Sequence, residues 1–138
     1  MSAEAPVLPD IAAVRAAAER IAPTVAATPS FAAHDLGAEL DARLWLKPES
    51  LQRTGSFKVR GALNWIETAS PEETANGLIT VSAGNHAMAL AWAARERGVP
   101  VTVVMPEGSS PMKIAATRAF GAEVIVHGDI RAAVAECH

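Results

Sequence analysis

Three cations crowd into one short stretch of the chain, residues 52–62 (QRTGSFKVRGA). Arg53, Lys58 and Arg60 lie in or beside the expected first turn of a helix, for which residues 54–56 supply a turn and N-cap. A helix N-terminus carries partial positive charge and prefers anions, so cations there are unfavourable. They become favourable if an anion binds, or if Lys58 works in its uncharged form. An imine between Lys58 and a phosphate-bearing aldehyde would meet both conditions.

A second polar turn, residues 82–86 (SAGNH), follows an apolar run and precedes a strong helix former. Ser82 offers a hydroxyl, Asn85 offers a side-chain amide, and Gly84 lets the backbone approach a ligand closely. Fixed donors at a helix start suit a carboxylate or a phosphate, because the helix dipole adds to their attraction.

Each of these features also has an ordinary structural explanation. A lone lysine in a first helical turn is usually a solvated surface residue, and a turn such as residues 82–86 is often only a capped strand-to-helix connection. His86 alone is more often a loop histidine with satisfied hydrogen bonds than a catalytic base. Gly61 within a helix costs roughly 1 kcal/mol relative to alanine, which indicates close packing. The residues by themselves therefore predict an anion-binding domain with an unusual lysine, and no particular reaction.

The elements that must position these residues alternate between strand and helix. After a helix at 11–21 and a short one within 32–40, we expect strands at 44–46, 78–81, 101–105 and 124–126, and helices at 57–69, 71–76, 87–97, 111–120 and from 130. This rhythm implies βαβ crossovers and a parallel sheet, so the predicted fold class is α/β. Ligands bind beyond the carboxyl ends of such strands. We therefore expect loops 47–58 and 82–86 on one edge of the sheet.

Composition excludes several classes of function. A net charge of −3 gives no reason to expect a nucleic-acid partner or an anionic membrane surface. No apolar run is long enough to span a bilayer, and the N-terminus lacks the pattern of a signal peptide. The single cysteine, Cys137, fits a cytoplasmic location. The four histidines lack metal-ligand spacing, so we expect no metal site.

The chain divides into a predicted N-terminal tail and helix, residues 1–43, and an α/β domain, residues 44–138. The first nine residues are expected to form a loose tail. The sequence ends inside a βα pattern without a helix stop signal, so we expect it to be a piece of a larger protein. It contains neither the glycine fingerprint of dinucleotide-binding folds nor a Walker loop.

Two long motifs resemble those of a known family. Residues 47–62 (KPESLQRTGSFKVRGA) closely resemble the lysine motif of the threonine/serine dehydratases, and residues 82–86 resemble that family's carboxylate-binding loop. The family belongs to the fold-type II pyridoxal-phosphate enzymes, with a tryptophan synthase β-like fold, and serine racemase is a member of the same group. Further similarity covers nearly the whole chain from Thr28 onward and includes Met105-Pro106, Lys113 and residues 120–124 (FGAEV).

The resemblance implies pyridoxal 5'-phosphate as cofactor and assigns roles around it. Lys58 would hold the cofactor as a Schiff base and then take the α-proton of the substrate. Phe57 would pack near the cofactor, and Asn85 would hydrogen-bond its ring hydroxyl.

The resemblance also implies a substrate and a reaction. The substrate carboxylate would bind to the side chains of Ser82 and Asn85 and to the backbone of Ala83, Gly84, Asn85 and His86. The substrate would be L-threonine or L-serine, which loses its β-hydroxyl and yields a 2-oxo acid and ammonia. A homo-oligomeric assembly is a further hypothesis.

Departures from the family pattern define the alternatives. Racemases of the group tend to have a second serine where this chain has Ala83, which favours dehydration over a serine racemase-like reaction. Met88 and Ala89 depart from the family loop, so a polar contact is missing there. The family's glycine-rich phosphate loop and its partner for the pyridine nitrogen come later in longer chains, so we expect little activity from this chain alone. A catalytically inactive module that binds a small anion or pairs with another chain is the alternative from a different class.

Overall fold

A computed structural model describes residues 8–137 of the chain. Predicted tail residues 1–7 and the C-terminal His138 lie outside the described residues, and residues 8 and 9 have no regular secondary structure. The helices are α1 (Ile11–Ile21), α2 (His34–Glu39), α3 (Lys58–Thr68), α4 (Pro71–Thr74), α5 (Asn85–Arg95), α6 (Pro111–Ala119) and α7 (Ile130–Glu136). The strands are β1 (Phe31–Ala32), β2 (Trp45–Leu46), β3 (Leu78–Val81), β4 (Val101–Met105) and β5 (Glu123–Val126).

A three-stranded parallel sheet in the order β3-β4-β5 forms the centre of the molecule. The central strand is apolar almost throughout, and four of its five residues, Val101, Val103, Val104 and Met105, are buried. A strand that has neighbouring strands on both edges and helices against its faces requires a continuous run of apolar residues. The predicted α/β class and parallel sheet are confirmed.

Strand β2 does not belong to this sheet. It pairs antiparallel with β1, with Phe31 opposite Leu46 and Ala32 opposite Trp45, in a separate two-stranded sheet. The expectation that loops 47–58 and 82–86 lie at one sheet edge was therefore wrong. A strand of two residues can form too few hydrogen bonds to be held in the parallel sheet. Its antiparallel partner, β1, was not recognisable in the sequence of residues 24–43.

The helices cover the sheet through one continuous core. The closest helix pair is α3 with α5, which share a cluster of buried apolar residues including Val59, Leu63, Leu90 and Trp92. Helix α1 packs on α3 and adds Ile21 to this cluster. The proposed boundary between residues 43 and 44 remains a prediction. Within residues 8–137, every helix is too short or too polar to cross a bilayer.

Local capping explains where several helices begin. The side chain of Asp10 accepts a hydrogen bond from the backbone N–H of Ala13, and Asp129 caps α7 in the same way. Ser70 and Glu73 form a reciprocal capping box at α4. These caps satisfy backbone donors that have no partner within the helix, and each stabilises its helix by about 1 kcal/mol. The helix starts predicted at these residues are confirmed.

Candidate active site

The loop that precedes Lys58, residues 47–57 and hereafter the lysine loop, is strained. It contains two 3-10 turns, and Thr54 and Gly55 at the end of the second have φ of +61° and +70°. A β-branched residue in the left-handed region costs on the order of 1–3 kcal/mol. The hydroxyls of Thr54 and Ser56 are buried and have no hydrogen-bond partner among the described residues. Strain and unpaired hydroxyls beside a lysine indicate a loop that is not optimised for stability alone.

Helix α3 begins later than the expected cap. Phe57 occupies the N-cap position, it makes no side-chain hydrogen bond there, and Lys58 is the first helical residue. The expected N-cap at residues 54–56 was wrong, because Thr54 and Gly55 adopt left-handed backbone instead. Lys58 therefore projects from a helix start whose first turn holds no acidic residue.

An ion pair holds the lysine loop against the preceding segment. Arg60 donates two hydrogen bonds to Glu49, each 2.7 Å long, and the Thr28 hydroxyl donates to the same carboxylate. The Lys47 ammonium donates to the Thr28 carbonyl at 2.7 Å. The hydrogen bonds from Arg60 are the main reason that the pKa of Glu49 is lowered to about 2. Glu49 is therefore ionised at neutral pH, and Arg60 is its counter-ion.

Gln52 anchors the same loop through the backbone. Its side chain accepts from the N–H of Ala26 and donates to the carbonyl of Ala26, both at 2.8 Å, and it is only 4% exposed. Arg53 donates to the Thr24 carbonyl at 3.0 Å and lies 6.0 Å from the Trp92 ring centroid. Two of the three cations that first suggested an anion site thus have internal partners. Within residues 8–137, Lys58 forms no ion pair; its Nζ lies 5.2 Å from the Phe57 ring centroid.

Lys58 opens onto a cleft of about 670 Å³ between α3, β3 and α5. None of the described residues that line the cleft is acidic; they are Phe57, Lys58, Arg60, Gly61, Ala62, Trp65, Leu78, Ile79, Thr80, His86 and Leu90. Arg60 is already neutralised by Glu49, so Lys58 supplies the free positive charge of this surface. A carbon built on Gly61 would have no atom within 4 Å. The expectation that Gly61 permits close packing was wrong, since it borders open space.

His86 faces Lys58 across the cleft. Partial desolvation, and to a smaller extent the positive charge of Lys58, lower the pKa of His86, although the residue is exposed. The imidazole is therefore neutral at neutral pH, and it can accept a hydrogen bond or a proton there.

Residues 82–86, hereafter the glycine loop, lie at the end of β3 and lead into α5. The Ser82 hydroxyl accepts from the N–H groups of Gly84 and Ala87, both at 3.3 Å, which ties the loop to the first turn of the helix. Ala83 and Asn85 are exposed, and Gly84 is buried. Of this loop, only His86 lines the cleft.

The structure thus brings Lys58, Phe57 and His86 into one cleft and places Ser82, Ala83, Gly84 and Asn85 beside it. The packing of α3 on α5 brings the two loops together, since each loop leads into the first turn of one of these helices. The roles assigned to these residues in cofactor and carboxylate binding stay predictions.

Sequence reasoning assigned no role to Lys113. This residue lies in the first turn of α6, and a carbon built on Gly84 would lie 2.8 Å from its Nζ. The signal was present in the sequence, because Lys113, like Lys58, is a cation in a helical first turn without an acidic residue.

Comparison with known proteins gives a consistent result. The family model described as "Pyridoxal-phosphate dependent enzyme" matches residues 21–138. An L-threonine ammonia-lyase of Geobacter sulfurreducens is 44% identical over 115 residues, which are 83% of this chain and 29% of that protein. An L-threo-3-hydroxyaspartate ammonia-lyase of Saccharomyces cerevisiae is 40% identical over 119 residues, 86% of this chain and 36% of that protein.

A solved structure, that of maize serine racemase, superposes with a TM-score of 0.83 at 35% identity and covers 93% of this chain and 39% of the racemase. The chain spans about a third of the length of the curated relatives that it matches.

Proposed function

Because the chain belongs to the pyridoxal-phosphate dependent enzyme family, we propose that it is the lysine-bearing portion of a threonine/serine ammonia-lyase. The observation that carries this proposal is the cleft in which the Lys58 amine faces a neutral His86, without an acidic residue among the lining residues described. The similarity to an L-threonine ammonia-lyase supports this choice of reaction. A cytoplasmic location and L-threonine or L-serine as substrate belong to the same proposal.

Those parts of the site that lie in this chain fit pyridoxal phosphate. The cleft has one free amine, apolar walls from Trp65 and Ile79, and the exposed Phe57 ring at its mouth. Lys58 would hold the cofactor covalently, and Asn85 would donate a hydrogen bond to it. When bound, the cofactor withdraws electrons from the substrate and so acidifies its α-carbon.

The chain's own residues then bind the substrate and move a proton. The Lys58 amine is the base that takes the α-proton. The glycine loop would bind the substrate carboxylate through the side chains of Ser82 and Asn85 and through the N–H groups of residues 83–86. Loss of the β-hydroxyl and addition of water give a 2-oxo acid and ammonia.

Labelling of the chain's lysines tests the proposal. The chain has three lysines, Lys47, Lys58 and Lys113. Pyridoxal phosphate is added, the adduct is reduced with borohydride, and peptide mass spectrometry locates the modified residue. We expect the label on Lys58, its loss in Lys58→Ala, and no change in Lys47→Arg, because the Lys47 ammonium is engaged by the Thr28 carbonyl. Equal labelling of the three lysines would contradict the proposal.

Measuring turnover by the same preparation distinguishes the proposed ammonia-lyase portion from an inactive module and from a racemase. The chain contains no glycine-rich phosphate loop and spans about a third of its relatives, so we propose that it releases little 2-oxo acid from L-threonine by itself. Labelling of Lys58 without turnover agrees with the proposal, and absence of labelling favours an inactive anion-binding or chain-pairing module. Conversion of L-serine to D-serine by the labelled chain would instead favour a racemase, which the absence of a hydroxyl at Ala83 argues against.

A further inference from the structure

The side chain of Lys113 lies along the backbone of Gly84. A carbon built on Gly84 would meet the last atoms of Lys113 at 2.8 Å (Nζ), 3.1 Å (Cδ) and 3.4 Å (Cε). A side chain at position 84 would therefore displace the ammonium group. Glycine at this position keeps a cation pressed against the glycine loop.

The Lys113 ammonium has no partner among residues 8–137. It takes part in no hydrogen bond or ion pair there, although the residue is only half exposed. An ammonium group has three donors, and none of the three is used within the described residues. The neighbouring Ala83 offers no hydroxyl that could accept.

The surroundings of Lys113 increase the positive potential at the glycine loop. Helices α5 and α6 pack together, and neither has an acidic residue in its first turn. Gly84 precedes the first turn of α5, and Lys113 is the third residue of α6. Two helix N-termini and an ammonium group without a partner therefore act on the glycine loop.

We propose that Lys113 binds the α-carboxylate of the substrate, together with the N–H groups of the glycine loop. The inference rests on the proposed function, in which this loop receives that carboxylate. A charged hydrogen bond to the carboxylate strengthens binding and fixes the orientation of the amino acid. The site thereby selects amino acids with a free carboxylate over their amides.

Amide chemical shifts of the isotope-labelled chain test this inference. L-Serine, L-serinamide and inorganic phosphate are titrated separately, and the shifts of Gly84 and Asn85 are followed. We expect Lys113→Met, which keeps the stem and removes the charge, to weaken L-serine binding about tenfold. Lys113→Arg retains most of the affinity, and the parent binds L-serinamide as weakly as Lys113→Met binds L-serine.

Two further variants test whether the loss of L-serine binding is specific to the Lys113 ammonium. Gly84→Ala forces the ammonium aside and is expected to weaken L-serine binding as Lys113→Met does. Arg131→Met removes an exposed charge from α7 and is expected to leave the affinity unchanged.

Several results would overturn the role of Lys113. They are unchanged L-serine affinity in Lys113→Met, absence of shifts at Gly84 and Asn85 in the parent, and a dependence on Lys113 for phosphate but not for L-serine. The labelling of Lys58 is independent of these titrations. Lost labelling with a strong effect of Lys113→Met contradicts the proposed function alone, and normal labelling without that effect contradicts the inference alone.

Discussion

The two loops that supply the candidate active-site residues are held by different kinds of interaction. The lysine loop is held by side chains, since Gln52 bonds both backbone groups of Ala26 and Glu49 binds Arg60. The glycine loop is held by its position between a sheet strand and α5, and the Ser82 hydroxyl adds its only side-chain bonds among the described residues.

This difference determines how each loop responds to change. The lysine loop depends on partners far away in the sequence, so substitutions remote from Lys58 can move that lysine. The glycine loop follows directly from β3, whose ladder to β4 fixes its origin. In this chain, the position of the glycine loop is thus set by the core, and the position of the lysine loop is set by a polar network.

The largest loss of stability is expected from the packing of α3 on α5, because both loops depend on it. Leu63 is fully buried in the cluster that α3 shares with α5. Leu63→Ala removes this packing and should lower the free energy of unfolding by about 2–5 kcal/mol, measured by urea denaturation. Leu51→Ala, at a side chain that is 63% exposed, is the control and should change it little. Equal effects of the two substitutions would show that α3–α5 packing does not support the loops.

A smaller effect should be confined to the lysine loop and should depend on pH. The pKa of Glu49 is about 2 in the folded chain against an ordinary 4.5, so its stabilisation is fully present above pH 4.5 and is lost as pH falls through about 2. At pH 7, Glu49→Gln should lower the free energy of unfolding by about 1.5–3 kcal/mol.

The pH dependence of unfolding measures this contribution. The loss caused by Glu49→Gln should shrink as pH falls below 4.5, because the parent then loses the same interaction. Glu39→Gln, at an exposed carboxylate on α2, is the matched control. A loss of the same size at pH 2 and pH 7 would exclude the ion pair with Arg60 as its cause.

The smallest expected effects compare one anchor from each loop. Gln52→Ala removes the two bonds to the half-buried backbone of Ala26 and the bond from the Arg53 N–H, and should lower the free energy of unfolding by about 1–2 kcal/mol. Ser82→Ala removes two longer bonds at 3.3 Å and should lower it by about 0.5–1 kcal/mol. Hydrogen exchange should rise at Gly55 in the first variant and at Gly84 and Ala87 in the second. The reverse order of losses would contradict the difference between the loops.

Much of the secondary structure could be predicted from the sequence, because it depends on neighbouring residues. Helix α1, strand β3 and strand β4 occur at the bounds expected from caps and apolar runs. The α/β class follows from their alternation. Lys58 could be singled out because a cation at a helix start conflicts with the dipole, and that conflict is visible locally.

Contacts between distant residues could not be predicted in this way. Arg60 reaches Thr28, 32 residues earlier, and Gln52 reaches Ala26, 26 residues earlier. The contact of Arg60 with Thr28 and that of Arg53 with Thr24 give two of the crowded cations internal partners, and no local sequence pattern indicates them. The pairing of β2 with β1 was missed for the same reason.

The sequence by itself determined most of the elements, the fold class and the lysine that marks the candidate site. Only the tertiary structure decided which cations remain free, that His86 shares the cleft of Lys58, and that Lys113 lies on Gly84. The physical reason is the distance along the chain over which each effect acts. Propensity and capping act within a few residues, whereas the charge and shape of a site depend on which helices pack together.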